Sequence, residues 1–145
     1  MKPISSALLA LAVFAVIAGP AQAGFDFTTF DVPSAVFTLG MGINNAGQIV
    51  GNFVEPNTPA YQTYGFLLSG GTYSRLDRAA TANAINNAGD IVGADHVNAG
   101  YLYRGGVYTT IGVPGARSTV ALGINDLGQI VGSSALGGFL YSGGM

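Results

Sequence analysis

Residues 84–93 read AINNAGDIVG, and close variants of this phrase occur twice more, as GINNAGQIVG at 42–51 and GINDLGQIVG at 123–132. The copies begin 42 and 39 residues apart. Self-similarity at a fixed period of this size is typical of repeat architectures. We call these three stretches the anchor phrases, and they predict three copies of one structural unit.

A second phrase follows each anchor phrase and ends in two glycines. It reads FLLSGG at 66–71, YLYRGG at 101–106 and FLYSGG at 139–144. The stretch between the two phrases is longest in the first copy, at 52–65. A segment whose length varies between constant flanks is typical of a surface loop. Each unit is therefore expected to combine fixed turns with one variable loop.

The anchor phrases also predict how each unit turns. Four short strands are expected per unit, and the turn between the first two reads Asn-Asn-Ala-Gly or Asn-Asp-Leu-Gly. Asn can hydrogen-bond its own backbone in such a turn, and Gly accepts the left-handed conformation that closes it. We therefore assign six residues to turn geometry rather than to chemistry: Asn44, Gly47, Asn86, Gly89, Asn125 and Gly128.

The chain begins with a partial copy of the unit. Residues 27–44 match residues 108–125 without a gap, at a constant offset of 81. The leading strand thus corresponds to Val107–Ile111, the expected last strand of the second unit. Since the third unit stops after its third strand, Phe25–Phe30 is predicted to be its missing fourth strand.

These patterns predict an all-β fold made of repeated four-stranded units. Four strands in roughly 40 residues are typical of a propeller blade, so a propeller-like array is favoured. Three blades are fewer than the usual range of about 4–8. The alternatives are a compact threefold β-domain such as a trefoil or prism, one protomer of a larger ring, and a fragment of a longer propeller. A lone array would leave open strand edges, which favour self-association.

The first 23 residues have the three parts of an export signal. Lys2 supplies the basic start, residues 7–18 form an apolar run, and Ala21-Gln22-Ala23 offers the small residues that a signal peptidase reads. The apolar run is shorter than the roughly 20 residues that a membrane-spanning helix needs. We expect cleavage before Gly24 and no membrane span afterwards. Residues 24–145 are then a secreted β-repeat domain, with periplasm or cell surface as alternative locations.

The composition argues against several classes of function. The 145 residues include no cysteine, one histidine, five basic and seven acidic residues. Few scattered arginines cannot neutralise a run of phosphates, so no nucleic-acid partner is expected. His96 follows Asp95, but adjacent residues of an extended chain point to opposite sides, so Asp95 is not expected to orient it. We predict no catalytic residue, no cofactor and no metal site.

Aromatic residues are the remaining candidates for ligand contact. Tyr61 and Tyr64 fall in the longest variable loop, where a tyrosine ring offers apolar area with a polar tip to a glycan or a protein. The competing interpretation is that aromatic residues at repeated strand positions fill the space between sheets. We favour packing for Phe66, Tyr101 and Phe139.

The two phrases resemble the HAF-repeat family of bacterial extracellular proteins. The unit of that family runs approximately G-I-N-N-x-G-Q-I-V-G, a variable loop, and then H-A-F-L-Y-x-x-G. The likeness covers nearly all of the chain after residue 23. The H-A pair of the family is replaced here by Tyr64-Gly65, Ala99-Gly100 and Gly137-Gly138, so no role of that histidine carries over. The resemblance implies an exported bacterial protein and implies no catalytic residues.

Three classes of function follow from these observations. The leading prediction is an exported, non-enzymatic scaffold or binding module, with an extracellular ligand recognised by the variable loops. The first alternative is a fragment of a longer propeller with an enzyme-accessory or hydrolase role, whose active residues lie in other units. The second alternative is a structural protein whose copies assemble edge to edge.

Overall fold

The computed structural model of the protein describes residues 26–56 and 62–143. The predicted signal peptide, residues 1–23, and Tyr61 lie outside these ranges. The described residues form eleven β-strands and no helix, so the prediction of an all-β fold is confirmed. The strands are β1 (Phe37–Ile43), β2 (Ile49–Val54), β3 (Thr63–Ser69), β4 (Thr72–Leu76), β5 (Ala79–Ile85), β6 (Ile91–Asp95), β7 (Gly100–Arg104), β8 (Val107–Ile111), β9 (Thr119–Ile124), β10 (Gln129–Ser134) and β11 (Gly137–Ser142).

The described strands form three antiparallel sheets in chain order. The first sheet has the order β1-β2-β3-β4, the second β5-β6-β7-β8, and the third β9-β10-β11. Every strand in a sheet pairs with its neighbour in sequence, as expected for short turns. The third sheet is one strand narrower, because β11 pairs with β10 alone among the described strands.

The sheets are stacked in a row, each on the face of the one before. Strand β5 contacts β1, β2 and β3, and strand β9 contacts β5, β6 and β7. All five residues of β6 are buried, because the second sheet is covered on both faces. In the described ranges, the sheets close into neither a propeller nor a barrel. The blade-like character of the units therefore stays a prediction.

Alternation along the strands supplies an apolar layer on each side of the second sheet. Successive residues of a strand point to opposite faces, so Ile91 packs toward the first sheet and Val92 toward the third. One layer includes Val50, Leu76, Ala79, Ala82, Ile85, Ile91 and Tyr101. The other includes Val92, Ile111, Ala121 and Ile130.

The N-terminal segment covers part of the outer face of the first sheet, over Phe53, Tyr64 and Phe66. Residues 26–32 form no strand, and the Phe30 ring packs edge-on against Phe66 of β3, with ring centroids 6.4 Å apart. The prediction that Phe25–Phe30 is the fourth strand of the third sheet is therefore wrong for residues 26–30. The reason is connectivity: the segment leads directly into β1, while the third sheet lies two layers away along the row.

A β-bulge opposite a glycine recurs in all three sheets. In the second sheet, Asn83 of β5 has no partner on β6, and Gly93 lies opposite the bulge. A Cβ atom at Gly93 would overlap the carbonyl oxygen of Thr81, and the ring of Tyr101 lies on the same side. The corresponding glycines of the other sheets are Gly51 and Gly132, which face the carbonyl oxygens of Leu39 and Val120. The final glycine of each anchor phrase thus permits a close approach of backbone.

We expect Gly93→Ala to destabilise the fold. The added methyl group has no space beside the Thr81 carbonyl, and overpacking of this kind typically costs about 1–3 kcal/mol. Gly112→Ala is the matched control, because no atom lies within 4 Å of a Cβ built there. Urea unfolding followed by circular dichroism measures both variants. Equal stabilities of the two variants would contradict this account of the glycine.

Candidate functional site

Each anchor turn is closed by the asparagine that opens it. The Asn86 Oδ1 atom accepts hydrogen bonds from the backbone N–H groups of Ala88 and Asp90, at 3.0 and 2.9 Å. Gly89 completes the turn with a φ of +83°, a conformation that favours glycine. The same geometry occurs at Asn44–Gly47 and Asn125–Gly128.

The amide nitrogen of the same asparagine reaches the next unit. Asn44 Nδ2 donates to the backbone oxygen of Asn86 at 3.0 Å, and Asn86 Nδ2 donates to the backbone oxygen of Asn125 at 3.1 Å. We call Asn44, Asn86 and Asn125 the asparagine ladder. Asn44 and Asn86 are buried, so each rung satisfies a donor that would otherwise be costly to bury.

An exposed row of hydrogen bonds runs beside the ladder. The backbone N–H of Asn45 donates to Asn87 Oδ1 at 2.8 Å, and the backbone N–H of Asn87 donates to Asp126 Oδ1 at 2.9 Å. Asn87 Nδ2 also donates to Asp126 Oδ2, at 2.7 Å. Both rows therefore connect equivalent positions of successive units.

The residue after each turn glycine supports the ladder from within its own unit. In the second unit Asn86 Nδ2 donates to Asp90 Oδ2 at 3.2 Å. Arg104 holds the same carboxylate through two bonds, from Nε at 2.9 Å and from Nη2 at 2.7 Å. In the first unit the equivalent pair is neutral, with Gln48 Nε2 donating to Ser69 Oγ at 3.2 Å.

Two carboxylates on this side of the stack have lowered pKa values. The hydrogen bonds from Arg104 lower the pKa of Asp90, although burial opposes the shift. The backbone and side-chain N–H groups of Asn87 lower the pKa of Asp126. Each group therefore favours the folded state while it is ionised.

Asp95 caps a turn and does not orient His96. Its Oδ1 atom accepts hydrogen bonds from the backbone N–H groups of Val97 and Ala99, at 3.0 and 2.9 Å. Its Oδ2 atom lies 3.6 Å from Nη2 of Arg78. His96 is exposed on the connection between β6 and β7. The carboxylate is thus used for local structure.

Tyr64 lies in β3 rather than in the variable loop, and its ring is buried. The Arg75 guanidinium lies 3.6 Å from the ring centroid, and the centroids of the Phe53 and His96 rings lie at 5.9 and 5.3 Å. The hydroxyl donates to Gln62 Oε1 at 2.6 Å. Contact between this ring and a ligand would require its neighbours to move aside.

The end of the stack opposite the ladder carries the variable loops. Strand direction alternates, so the β2–β3, β6–β7 and β10–β11 connections lie at the opposite end from the anchor turns. We call this the loop end. Arg75 pairs there with Glu55 at 3.1 Å and with Asp77 at 3.0 Å. These ion pairs lie beside the loops, whereas the Asp90–Arg104 pair lies at the ladder end. Tyr61 belongs to the part of the β2–β3 connection outside the described ranges.

The described residues contain no cluster of three or more His, Cys, Asp or Glu side chains that could hold a metal ion. Within the same ranges, no helix is long and apolar enough to cross a membrane. Every buried side-chain nitrogen or oxygen in this part of the chain has a hydrogen-bond partner. Comparison with family models, with curated proteins and with solved structures finds no match to the chain.

We expect Asn44→Asp to cost about 1–3 kcal/mol of stability, the usual cost of an unsatisfied buried polar group. The substitution keeps the oxygen that closes the turn, but it places a carboxylate oxygen against the carbonyl oxygen of Asn86. Asn125→Asp is the matched control, because both amide nitrogens donate to a glutamine of their own unit, and Asn44 Nδ2 additionally donates to the next unit. Urea unfolding of dilute samples measures the free energy of unfolding of both variants. Equal losses of stability would show that the hydrogen bond between units contributes nothing.

Stability is expected to fall in acid through Asp90 and Asp126. A carboxyl group with a lowered pKa in the folded state contributes stability above its ordinary pKa of about 3.8, and this contribution disappears as the pH falls toward the folded pKa. The double variant Asp90→Gln, Asp126→Asn copies the residues of the other units. Its unfolding midpoint should therefore fall less than that of the natural chain between about pH 4 and about pH 2. Parallel curves would exclude both groups as the cause.

Proposed function

We propose that this chain is an exported, non-enzymatic β-repeat scaffold that binds an extracellular glycan or protein through its loop end. The observation that carries the proposal is the asparagine ladder. The polar residues that recur in the anchor phrases, the most conspicuous in the sequence, make hydrogen bonds within and between units. Their role in holding the stack accounts for their recurrence without any chemistry.

The division of the stack into two ends supports a binding role for the loops. The ladder end repeats the same turn asparagine, the same turn glycine and the same turn hydrogen bonds in every unit. The loop end differs between units in length and in sequence, and it carries the ion pairs of Arg75 and Arg78. Loops on a rigid scaffold are the usual place for recognition, since they change without disturbing the sheets.

The resemblance to HAF-repeat proteins supports the same interpretation. It implies an extracellular bacterial protein, which agrees with the signal-peptide pattern of residues 1–23 and with cleavage before Gly24. We further propose that the sheets are blade-like units. They stack face to face in an open row, as neighbouring blades of a propeller do.

A pair of equally exposed apolar residues provides a test of the loop end. Val97 on the β6–β7 connection and Leu127 in an anchor turn are each 77 % exposed, so neither replacement disturbs the core. The binding of the exported protein is screened on immobilised peptidoglycan, chitin and cellulose and on a glycan array. A separate measurement of its intact mass shows whether the exported chain begins at Gly24. For a glycan that the protein binds, we expect the triple variant Tyr61→Ala, His96→Ala, Val97→Ser to bind at least about tenfold more weakly, or by about 1.4 kcal/mol.

Leu127→Ser is the control, and its affinity should equal that of the natural chain. Binding that survives the loop-end substitutions, or that Leu127→Ser weakens to the same degree, would contradict recognition by the loop end. If the protein binds none of these glycans, the proposal is restricted to a protein ligand. Retention of residues 1–23 in the exported fraction would contradict the predicted signal peptide.

A further inference from the structure

The outer face of the third sheet is apolar and uncovered. Val131 is 50 % exposed and Leu140 is 64 % exposed. The residues that correspond to Val131 in the other units, Val50 and Val92, are fully buried, because each is covered by the next sheet of the row. The third sheet therefore presents the same surface that holds the stack together internally.

The opposite end of the stack presents the complementary residues. Ile43 of β1 is 67 % exposed, whereas the equivalent Ile85 is 7 % exposed and belongs to the layer that contains Val50. Ile124, at the same position in the third unit, packs in the layer that contains Val92. By continuity with these two interfaces, Ile43 is the residue that would cover Val131.

Among the described residues, each end of the stack has an aromatic residue without the ring contact that its equivalents make. Tyr108 of β8 packs against Tyr101 of β7, with ring centroids 5.3 Å apart, and Tyr73 packs in the same way against Phe66 at 5.7 Å. In the third sheet Phe139 occupies the position of Tyr101, and no fourth strand lies beside it among the described strands. The residue of the leading segment that matches Tyr108 is Phe27, which is 90 % exposed.

The leading segment already has the conformation of the linker that joins the second sheet to the third. Val32 N–H donates to Thr38 Oγ1 at 3.1 Å, and Ala35 N–H donates to the Val32 oxygen at 3.0 Å. The equivalent bonds of the linker are Val113 N–H to Thr119 Oγ1 at 3.2 Å and Ala116 N–H to the Val113 oxygen at 3.0 Å. Residues 26–30 therefore precede the first sheet as β8 precedes the third. In both cases a linker of the same conformation leads from the segment into the sheet.

The hydrogen-bond rows end in donors on the third unit. In the interior, the turn asparagine and the residue after it each donate to the following unit. Asn125 and Asp126 occupy these positions in the third unit. A following unit would offer Asn125 Nδ2 the carbonyl oxygen of an Asn44, and would offer the backbone N–H of Asp126 the side-chain oxygen of an Asn45.

We propose that copies of this chain associate head to tail, independently of any ligand at the loop end. Residues 26–30 of a second copy pair with β11 as the fourth strand of the third sheet, and Phe27 packs against Phe139. The first sheet of that copy covers Val131 and Leu140. The contact joins two different surfaces, so each added copy presents a fresh third sheet, and association continues unless the copies close into a ring. It also pairs the open edge of β11.

Two single-residue variants and their mixture test the proposal. Leu140→Lys blocks the third-sheet face, Phe27→Lys blocks the leading strand, and both residues are exposed in the isolated chain. Val107→Lys adds the same charge at an exposed site on β8 of the second sheet, outside both surfaces. Circular dichroism and thermal unfolding establish that all three variants fold. Sedimentation velocity with light scattering then measures the mass of each protein over a range of concentrations.

We expect the natural chain and Val107→Lys to form oligomers of increasing mass as concentration rises, and each blocked variant to remain monomeric. An equimolar mixture of the two blocked variants should form a dimer, because each retains the surface that the other has lost. Three results would overturn the proposal: a natural chain that stays monomeric throughout, a Phe27→Lys variant that still dimerises through two third-sheet faces, and a mixture that remains monomeric.

Discussion

The stack depends on the hydrogen bond from a buried asparagine amide to the turn of the following unit. Asn44 and Asn86 each close their own turn with the side-chain oxygen and use the side-chain nitrogen to contact the next backbone oxygen. Because that buried nitrogen needs an acceptor, the backbone oxygen of the next turn must lie within hydrogen-bond distance of it. The rung thereby fixes how far one sheet is shifted relative to the next, which apolar side chains alone would leave loosely specified.

Much of this organisation could be predicted from the sequence. The spacing of asparagine and glycine in the anchor phrases predicted strands and the residues of the turns, because both residues act through local backbone geometry. The stacking of the sheets in a row could not be predicted in this way. It depends on contacts between residues about 40 positions apart. The repeat period gives their separation in sequence, but it does not give the position of one sheet relative to the next. The leading segment was misassigned for the same reason, since its resemblance to β8 says nothing about which sheet it covers.

The surroundings of Tyr64 and of Asp90 show two further limits. Strand β3 begins at Thr63, so Tyr64 already belongs to it, and only the pairing with β2 defines that boundary. The Asp90–Arg104 pair was missed although the sequence contains a signal for it. At the same two positions the units carry Gln48 with Ser69, Asp90 with Arg104, and Gln129 with Ser142. A paired change of charge at matched positions of a repeat indicates contact between the two side chains.

The ladder also gives the array a direction and a modular chemistry. Every anchor phrase contains both the donor for the unit that follows and the acceptor for the unit that precedes it. Duplication or deletion of one whole unit within the row would therefore leave no buried amide without a partner. The number of units can then change by recombination within the gene, while a unit facing the other way would not offer the buried asparagine amide of its neighbour the same acceptor.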